Sequence, residues 1–493
     1  MLKICNCYIN NNNSKIVLLF IVILQEKHYI FIYNTIRIKI RNGDEDMNST
    51  EIKNSSVFSL AWPVFIQVLL AMCLGYVDSI MLSRYSETAV GAIGNANQVI
   101  GFMTLAFSII SSATGVVVSQ YLGAKQKDKI SEVYTVSIAF NFALSLLISI
   151  IVFFGSNALL SFMKVPKDMF IDANNYMKIV GGFIFTQALI DTMSQIFRSN
   201  GKVKVGMFLS LGMNIINIVG NYLFLYGPLE KLNLGASGVA VSTTFSRILC
   251  VIIGAIYFAK KIEGNISLKY FRPFPKDTLF KLLRIGLPTA GENISYNVSQ
   301  IVVTMFVNML GTVAITTKIY GNILSNFAYM YSISVATATS IIVGHSIGDK
   351  DEDYAYNRVL KTLKSALIVS MSIAIFNYAI SGFTFSLFTK NPEIIELGRK
   401  IMIVAIFLEF GRTCNLVIIN SMKAAGDVKF PVVLGVIAQW GCSVGLGYLF
   451  GIYLDMGLVG VWIAMALDEI IRGIIVYIRW KLGGWKNKSL VTE

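Results

Sequence analysis

The sequence predicts an all-α membrane protein: twelve transmembrane helices in two six-helix lobes related by a pseudo-two-fold axis along the membrane normal. Three observations predict it. Of the 493 residues, 55% are hydrophobic and 14% charged, with mean hydropathy +0.64, whereas soluble domains run nearer a quarter charged. The apolar residues fall in blocks of about 20, the length that crosses a bilayer. The blocks also repeat: SLAWPVFIQVLLAMCLGYVDSIML, with Pro63, has a counterpart around Pro288, an offset of 288 − 63 = 225.

Residues 1–46 differ from the remainder of the chain. They are rich in Asn, Ile and Lys, with an asparagine run at Asn10–Asn13, and the apolar piece Ile16–Leu24 is too short to span and poorly placed for a secretory signal. Met47 is therefore the expected start, with 1–46 a doubtful extension. Twelve spans are read at 57–82, 95–121, 131–155, 172–197, 206–226, 236–259, 279–309, 318–344, 362–388, 397–420, 430–450 and 457–480. They divide into a lobe over 47–259, a linker at 260–278 with Pro273 and Pro275, and a lobe over 279–493.

Alternate loops differ in charge. One set carries Lys125, Lys127, Lys129, Arg198, Lys202, Lys204, the Lys260–Arg284 group, Lys350, Arg358, Lys361, Lys364, Lys423 and Lys429. The other is poorer in basic residues, so the first set and both termini are expected in the cytoplasm, around a plasma-membrane protein. This placement accounts for much of the net charge of +14. With no basic stripe on a soluble domain, nucleic acid is not an expected partner.

At offset 225, Gly123 pairs with Gly348, Lys125 with Lys350, Asp128 with Asp353, Gly201 with Gly426, Val203 with Val428, Lys204 with Lys429, and Asn97 with Asn322. Each unit holds an even number of spans, so the two copies share an orientation, a known transporter design.

Six cysteines show no metal-like spacing, and there are two histidines without an H-E-x-x-H pattern. With no clustered catalytic motif either, the chain is expected to be neither an enzyme nor the holder of a cofactor or metal, beyond Na⁺ at Asp78. A channel would show a re-entrant loop or a filter-like ring of repeated residues.

Polar groups inside the spans mark the candidate sites, because intramembrane ionisable groups are costly. The first lobe offers Asp78, Asp191, and Asn214, Asn217 and Asn221 in NIINIVGNYLFLYG, followed by Ser242, Thr243 and Thr244. Asn217 and Asn221 lie four apart, on one helical face. Carboxylate, amide carbonyls and hydroxyls form an all-oxygen set suited to Na⁺ or to a proton held on the carboxylate. The amides could equally join helices by hydrogen bonds. The second lobe offers Glu292, Asn293, Asn297, Glu409, Arg412, Gln439, Asp468, Glu469 and Arg472. Glu409 with Arg412, and Asp468 with Arg472, are spaced for internal ion pairs. Glu292 has no base within one turn downstream, and the nearest upstream, Arg284, is two turns away, so it is expected to titrate or to bind substrate.

These residues resemble the multidrug and toxic compound extrusion (MATE) family. The matching stretches are VDSIMLSRYS, AVGAIGNA, YLGAKQKDK, FRSNGKVK, NIVGNYLFLYG and LGASGVAVST, repeated as IGLPTAGENISYN, HSIGDKDED and AAGDVKFPV; they cover about 57–480. The resemblance implies cation-coupled export of organic, usually cationic compounds, through a V-shaped cavity between two lobes; the chain itself is expected to be a monomer. The resemblance places the coupling proton or Na⁺ on Asp78 and a fifth-span polar pair at Asn217 and Asn221. The chain departs from the family's pattern at Glu292, only four residues past the proline, and in offering Glu409 and Arg412 rather than a lone aspartate in the tenth span. A lipid-linked-sugar flippase of the same superfamily is the alternative expectation.

Overall fold

The computed structural model describes residues 49–491; the expectation about residues 1–46 and Met47 lies outside them. A short helix, α1 (Ser49–Asn54), precedes the spans. The first lobe holds α2 (Val57–Tyr85), α3 (Glu87–Gly123), α4 (Lys127–Phe162), a broken span made of α5 (Lys167–Tyr176) and α6 (Phe185–Ser199), α7 (Val203–Leu225) and α8 (Gly235–Lys261). The second holds α9 (Lys276–Met309), α10 (Thr312–Gly348), α11 (Glu352–Phe388), α12 (Pro392–Ala424), α13 (Lys429–Ala438, continued by π-turns to Tyr453) and α14 (Gly457–Lys481). These are the twelve helical spans in two lobes that the sequence predicts.

Large apolar side chains such as Phe154, Phe162, Ile171, Phe280 and Phe383 stand exposed on the outer faces. So much apolar surface is what a bilayer, rather than water, accommodates. Among the described residues nine helices are long and apolar enough to cross a membrane, and ten if the bent α5–α6 pair is one span. The two predicted spans that fall short are α9 and α14. They carry Glu292, Asn293 and Asn297, and Asp468, Glu469 and Arg472, so their polar load dilutes the apolar signal.

Local sequence sets the helix ends. Ser86 caps α3 by accepting from Ala89 N at 3.3 Å, Asp351 caps α11 from Tyr354 N at 3.0 Å, and Asn391 caps α12 ahead of Pro392 at its first position. Pro63 and Pro288 both lie inside helices, each removing one main-chain bond. The fourth span bends by 44° where a π-turn (Met177–Gly181) meets the Gly181–Gly182 pair.

The repeat extends to backbone conformation. Lys125 and Lys350 are both left-handed, at φ 56° and 58°, and the next amides, Gln126 N and Asp351 N, bond to Tyr121 O and Ser346 O. Gly201 and Gly426 (φ 71° and 95°) terminate α6 and α12 in the same way, with Lys202 N on Phe197 O and Asp427 N on Met422 O. These are paired Schellman-type ends, and the left-handed residue costs least when it is glycine.

The lobes meet through α2 and α3 against α9 and α10. They approach closely at the face that carries α1 and the end of the described chain, here the terminal face. The repeat-paired glycines sit there: a Cβ on Gly123 would fall 2.2 Å from His345 O, and one on Gly348 1.9 Å from Gln120 O. The same face is tied by Gln120 Nε2 to Ala424 O (2.7 Å), Leu490 N to Gln120 Oε1 (2.8 Å) and His345 Nε2 against Ser199 O (2.8 Å). Helix α1 straps across it, with Lys53 on both Asp349 and Asp351 at 2.7 Å and Ser49 Oγ on His345 Nδ1 at 2.8 Å.

Candidate functional site

Three first-lobe helices build a hydrogen-bonded chain around Asp78, about two turns from the distal end of α2. The Asn221 amide donates to Asp78 Oδ1 at 2.6 Å and to Asn217 Oδ1 at 3.1 Å. Asn217 donates to Thr243 Oγ1 on α8 at 3.0 Å, and Ser242 Oγ donates to Asn217 O at 2.9 Å. Both asparagines are fully buried, and Asn221 Oδ1 meets no donor among the described residues. A buried carbonyl oxygen without a donor, beside a carboxylate, is a receptive place for a cation. Tyr176, immediately before the π-turn, reaches Asn97 and Thr243 from the broken span; π-turns recur at functional sites.

The hydrogen-bond chain does not include every residue that the sequence proposes. Asn214 donates to Ser210 O on its own helix (2.6 Å), and Asp191 accepts from Gln187, one turn earlier (2.9 Å). Sequence reasoning missed Arg247, at the middle of α8. Its inward position shows in the pattern: Ala240, Thr243, Cys250 and Gly254 on its stripe are buried, while Val241, Phe245, Ile252 and Ile256 point outward. It lies within electrostatic reach of Asp78, Asp191 and Tyr176. The signal was an arginine deep in an apolar span; attention to carboxylates and amides passed over it.

In the second lobe both spaced ion pairs form. Arg412 bonds Glu409, and Arg472 grips Asp468 through two bonds at 2.9 and 2.8 Å while reaching Glu469 at 3.2 Å. Ser443 donates to Asp468 (2.9 Å) and Asn415 to Glu469 (2.6 Å). Gln439 is buried and accepts from Ser295 at 3.2 Å. Asn297 turns back to Asn293 O at 2.7 Å and is exposed, so this pair stays outside the network.

Glu292 corrects an expectation. It is not without a base: Lys423, from the tenth span, pairs with it at 2.7 Å. The partner is 131 residues away, beyond any spacing rule along one helix. The first lobe has the same device at offset 225, Arg198 donating to Gln67 Oε1 at 2.6 Å. These pairs flank a cavity of about 150 Å³ between the lobes, lined by Ser119, Gln195, Arg198, Thr289, Asn420 and Lys423. Lys423→Met leaves a largely buried carboxylate unpaired and is expected to cost ~3–5 kcal/mol. Adding Glu292→Gln should restore most of that loss. Thermal unfolding of the two variants checks this; equal losses would mean that the pair does not hold the lobe.

The geometry has counterparts in known proteins. The model of the MatE family matches residues 63–223 and 288–449, so its two segments start at the two span prolines. The chain is 42% identical over 438 residues to the uncharacterized transporter YisQ of Bacillus subtilis, covering 89% of this chain and 96% of that one. It is 21% identical over 441 residues to the "probable multidrug resistance protein NorM" of Thermotoga maritima, covering 89% and 94%. Among solved structures, the Vibrio cholerae MATE transporter VcmN in its bent form superposes with a TM-score of 0.81 at 17% identity, covering 89% and 99%. An outward-facing MATE family transporter of the MOP superfamily also gives 0.81, at 18% identity, covering 90% and 97%.

Proposed function

This chain belongs to the MatE family of multidrug and toxic compound extrusion transporters, and on that premise we propose that it exports organic, chiefly cationic compounds by antiport with Na⁺ or H⁺. The observation that carries the reading is the buried Asp78–Asn221–Asn217–Thr243 chain, with the unpartnered Asn221 Oδ1 beside the carboxylate. Asp78 takes the incoming cation; Asn221 and Asn217 hold the carboxylate in place and lend their oxygens. The described hydrogen bonds between the lobes lie at the terminal face, among them Gln120–Ala424 and His345–Ser199. The basic loops assign that face to the cytoplasm, so this arrangement is the outward-facing member of an alternating-access pair. Cation binding moves the equilibrium because its affinity differs between the two states. The chain works as a monomer in the cell membrane, both termini inside.

The test is ethidium efflux from energised cells expressing the chain from Met47. Efflux restarted by a Na⁺ pulse, or by external acid, supports the antiporter and identifies the ion. Cells that retain ethidium under both conditions would overturn the multidrug reading.

A further inference from the structure

Each lobe carries a groove on its outer side, between its third, fourth and sixth spans. In the second lobe it is a cavity of about 430 Å³ between α11, α12 and α14, with Leu363, Lys364, Leu367, Cys414, Gly473 and Tyr477 among its walls. That volume is in the range of ligand sites. Its floor is bare where α12 and α14 touch: a Cβ on Gly411 would fall 2.5 Å from Ile470 N. Phe410 and Ile474, which also line it, stand exposed, so it opens toward the acyl chains of the bilayer. Lys364 is the one charged residue in its walls.

The first-lobe groove, of about 330 Å³, is its repeat. Ile138 and Leu189 correspond to Leu363 and Cys414 at offset 225. Val251 and Ala255 correspond to Gly473 and Tyr477 at offset 222, the spacing of the glycines that open α8 and α14 (457 − 235 = 222). The two mouths differ. In the first lobe the chain closes its own: Gly264, Asn265 and Ile266 of the linker line the cavity. They are held there by Asn265 N on Ser131 Oγ at 3.1 Å and Ser267 N on Thr135 Oγ1 at 3.2 Å. In the second lobe the segment after α14 runs instead to the start of α11, with Lys486 on Asp353 at 3.2 Å and Asn487 N on Glu352 at 2.9 Å. None of that segment lines the groove.

Charge stands where that cover is missing. The first lobe has Val136 and Ala139 where the second has Lys361 and Lys364, with Lys361 one turn nearer the terminal face. Both lysines are exposed, and among the described residues neither ammonium has an ion-pair or hydrogen-bond partner. Lys481 adds a third cation, its Nζ 5.0 Å from the centre of the Tyr477 ring.

We propose that the second-lobe groove is a binding site for an anionic phospholipid from the leaflet on the terminal side. One acyl chain lies in the groove over Gly411 and Gly473, and the phosphate is held by Lys361, Lys364 and Lys481. A lysine stem lies along apolar walls while its ammonium reaches the headgroup level. Clustered lysines beside a spanning helix favour negative headgroups over zwitterionic ones. The repeat supplies the contrast: the linker covers one mouth, and a lipid of opposite charge covers the other.

Lipid crosslinking tests it. A phosphatidylglycerol with a diazirine in mid-chain is irradiated in bilayer discs that hold the full chain, beside a phosphatidylcholine with the same chains. Crosslinked peptides are counted by mass spectrometry. Crosslinks to 360–367, 410–414 and 470–477 should be at least about tenfold richer with phosphatidylglycerol. The first-lobe groove should show no preference between the lipids. The double variant Lys361→Gln, Lys364→Gln should lower the phosphatidylglycerol yield to the phosphatidylcholine level, whereas Lys361→Arg, Lys364→Arg should keep it. Raising salt from 0.1 to 1 M, which shortens the screening length from ~10 to ~3 Å, should lower the yield in the wild type and decides the matter if the Gln variant does not fold. Equal yields of the two lipids in the wild type, the same preference in both grooves, or a yield that neither the Gln variant nor salt changes would overturn the proposal.

Discussion

Asp78→Asn is expected to reduce ion-coupled efflux to background, a loss of at least about a hundredfold, while the protein folds as before. The substitution is nearly isosteric. The new amide can keep an oxygen toward the Asn221 Nδ2 that now bonds Asp78 Oδ1 at 2.6 Å. Only the charge is lost, and the charge is what a Na⁺ or a proton answers. Removing a carboxylate from a buried polar network also removes its desolvation cost, so thermal stability should hold or rise. Asn221→Ala acts one step further out. It leaves the carboxylate and frees its orientation, and groups that orient a ligand are worth roughly 10–100-fold in affinity. The pair is read by ethidium efflux under Na⁺ pulses and acid jumps, with unfolding temperature as the control. Wild-type coupling in Asp78→Asn would remove this residue from the ion's path and leave Asp191 as the next carboxylate of the lobe.

What could be read from the sequence, and what could not, divides by the distance over which a residue's partner lies. The spans, the two lobes and the repeat were legible because apolar length and a fixed offset are properties of the chain itself. Residues paired at that offset also share backbone conformation: Lys125 and Lys350 are both left-handed, and Gly201 and Gly426 end their helices alike. Pairs within one helix were legible for the same reason: Glu409–Arg412 and Asp468–Arg472 form as their spacing requires. Partners on other helices were not. Glu292 looked free until the tenth span brought Lys423 to it, and Asn214 and Asp191 looked like site members although their hydrogen bonds stay on their own helices. The π-turns that present Tyr176 and Gln439 have no spacing signature. Arg247 is the instructive omission, visible as a residue but informative only once the fold brings it within electrostatic reach of Asp78, Asp191 and Tyr176.

Gly348→Val should disable the transporter by a different route, opening the seal at the terminal face. The position has no space for a side chain: its Cβ would meet Gln120 O at 1.9 Å, where backbone faces backbone and no rotamer can relieve the clash. The lobes must separate locally, and with them the bonds that Gln120 makes to Ala424 and Leu490. Overpacking of this kind costs ~1–3 kcal/mol or more. In a two-state equilibrium ~1.4 kcal/mol already changes the population ratio tenfold. The variant should therefore abandon the sealed arrangement and lose export, while Gly441→Ala, where nothing lies within 4 Å of the new carbon, should behave as wild type. A single cysteine at position 119, in a background without the native ones, reports the change. An impermeant maleimide applied from the terminal face should label it slowly in the parent and at least about tenfold faster in Gly348→Val. Because Gly123 is the repeat partner, and a Cβ there would fall 2.2 Å from His345 O, Gly123→Val should produce the same labelling. Slow labelling with normal export in both would show that the glycine crossing does not seal this face. Fast labelling in only one would show that the two copies of the repeat, alike in sequence at this place, carry the seal unequally.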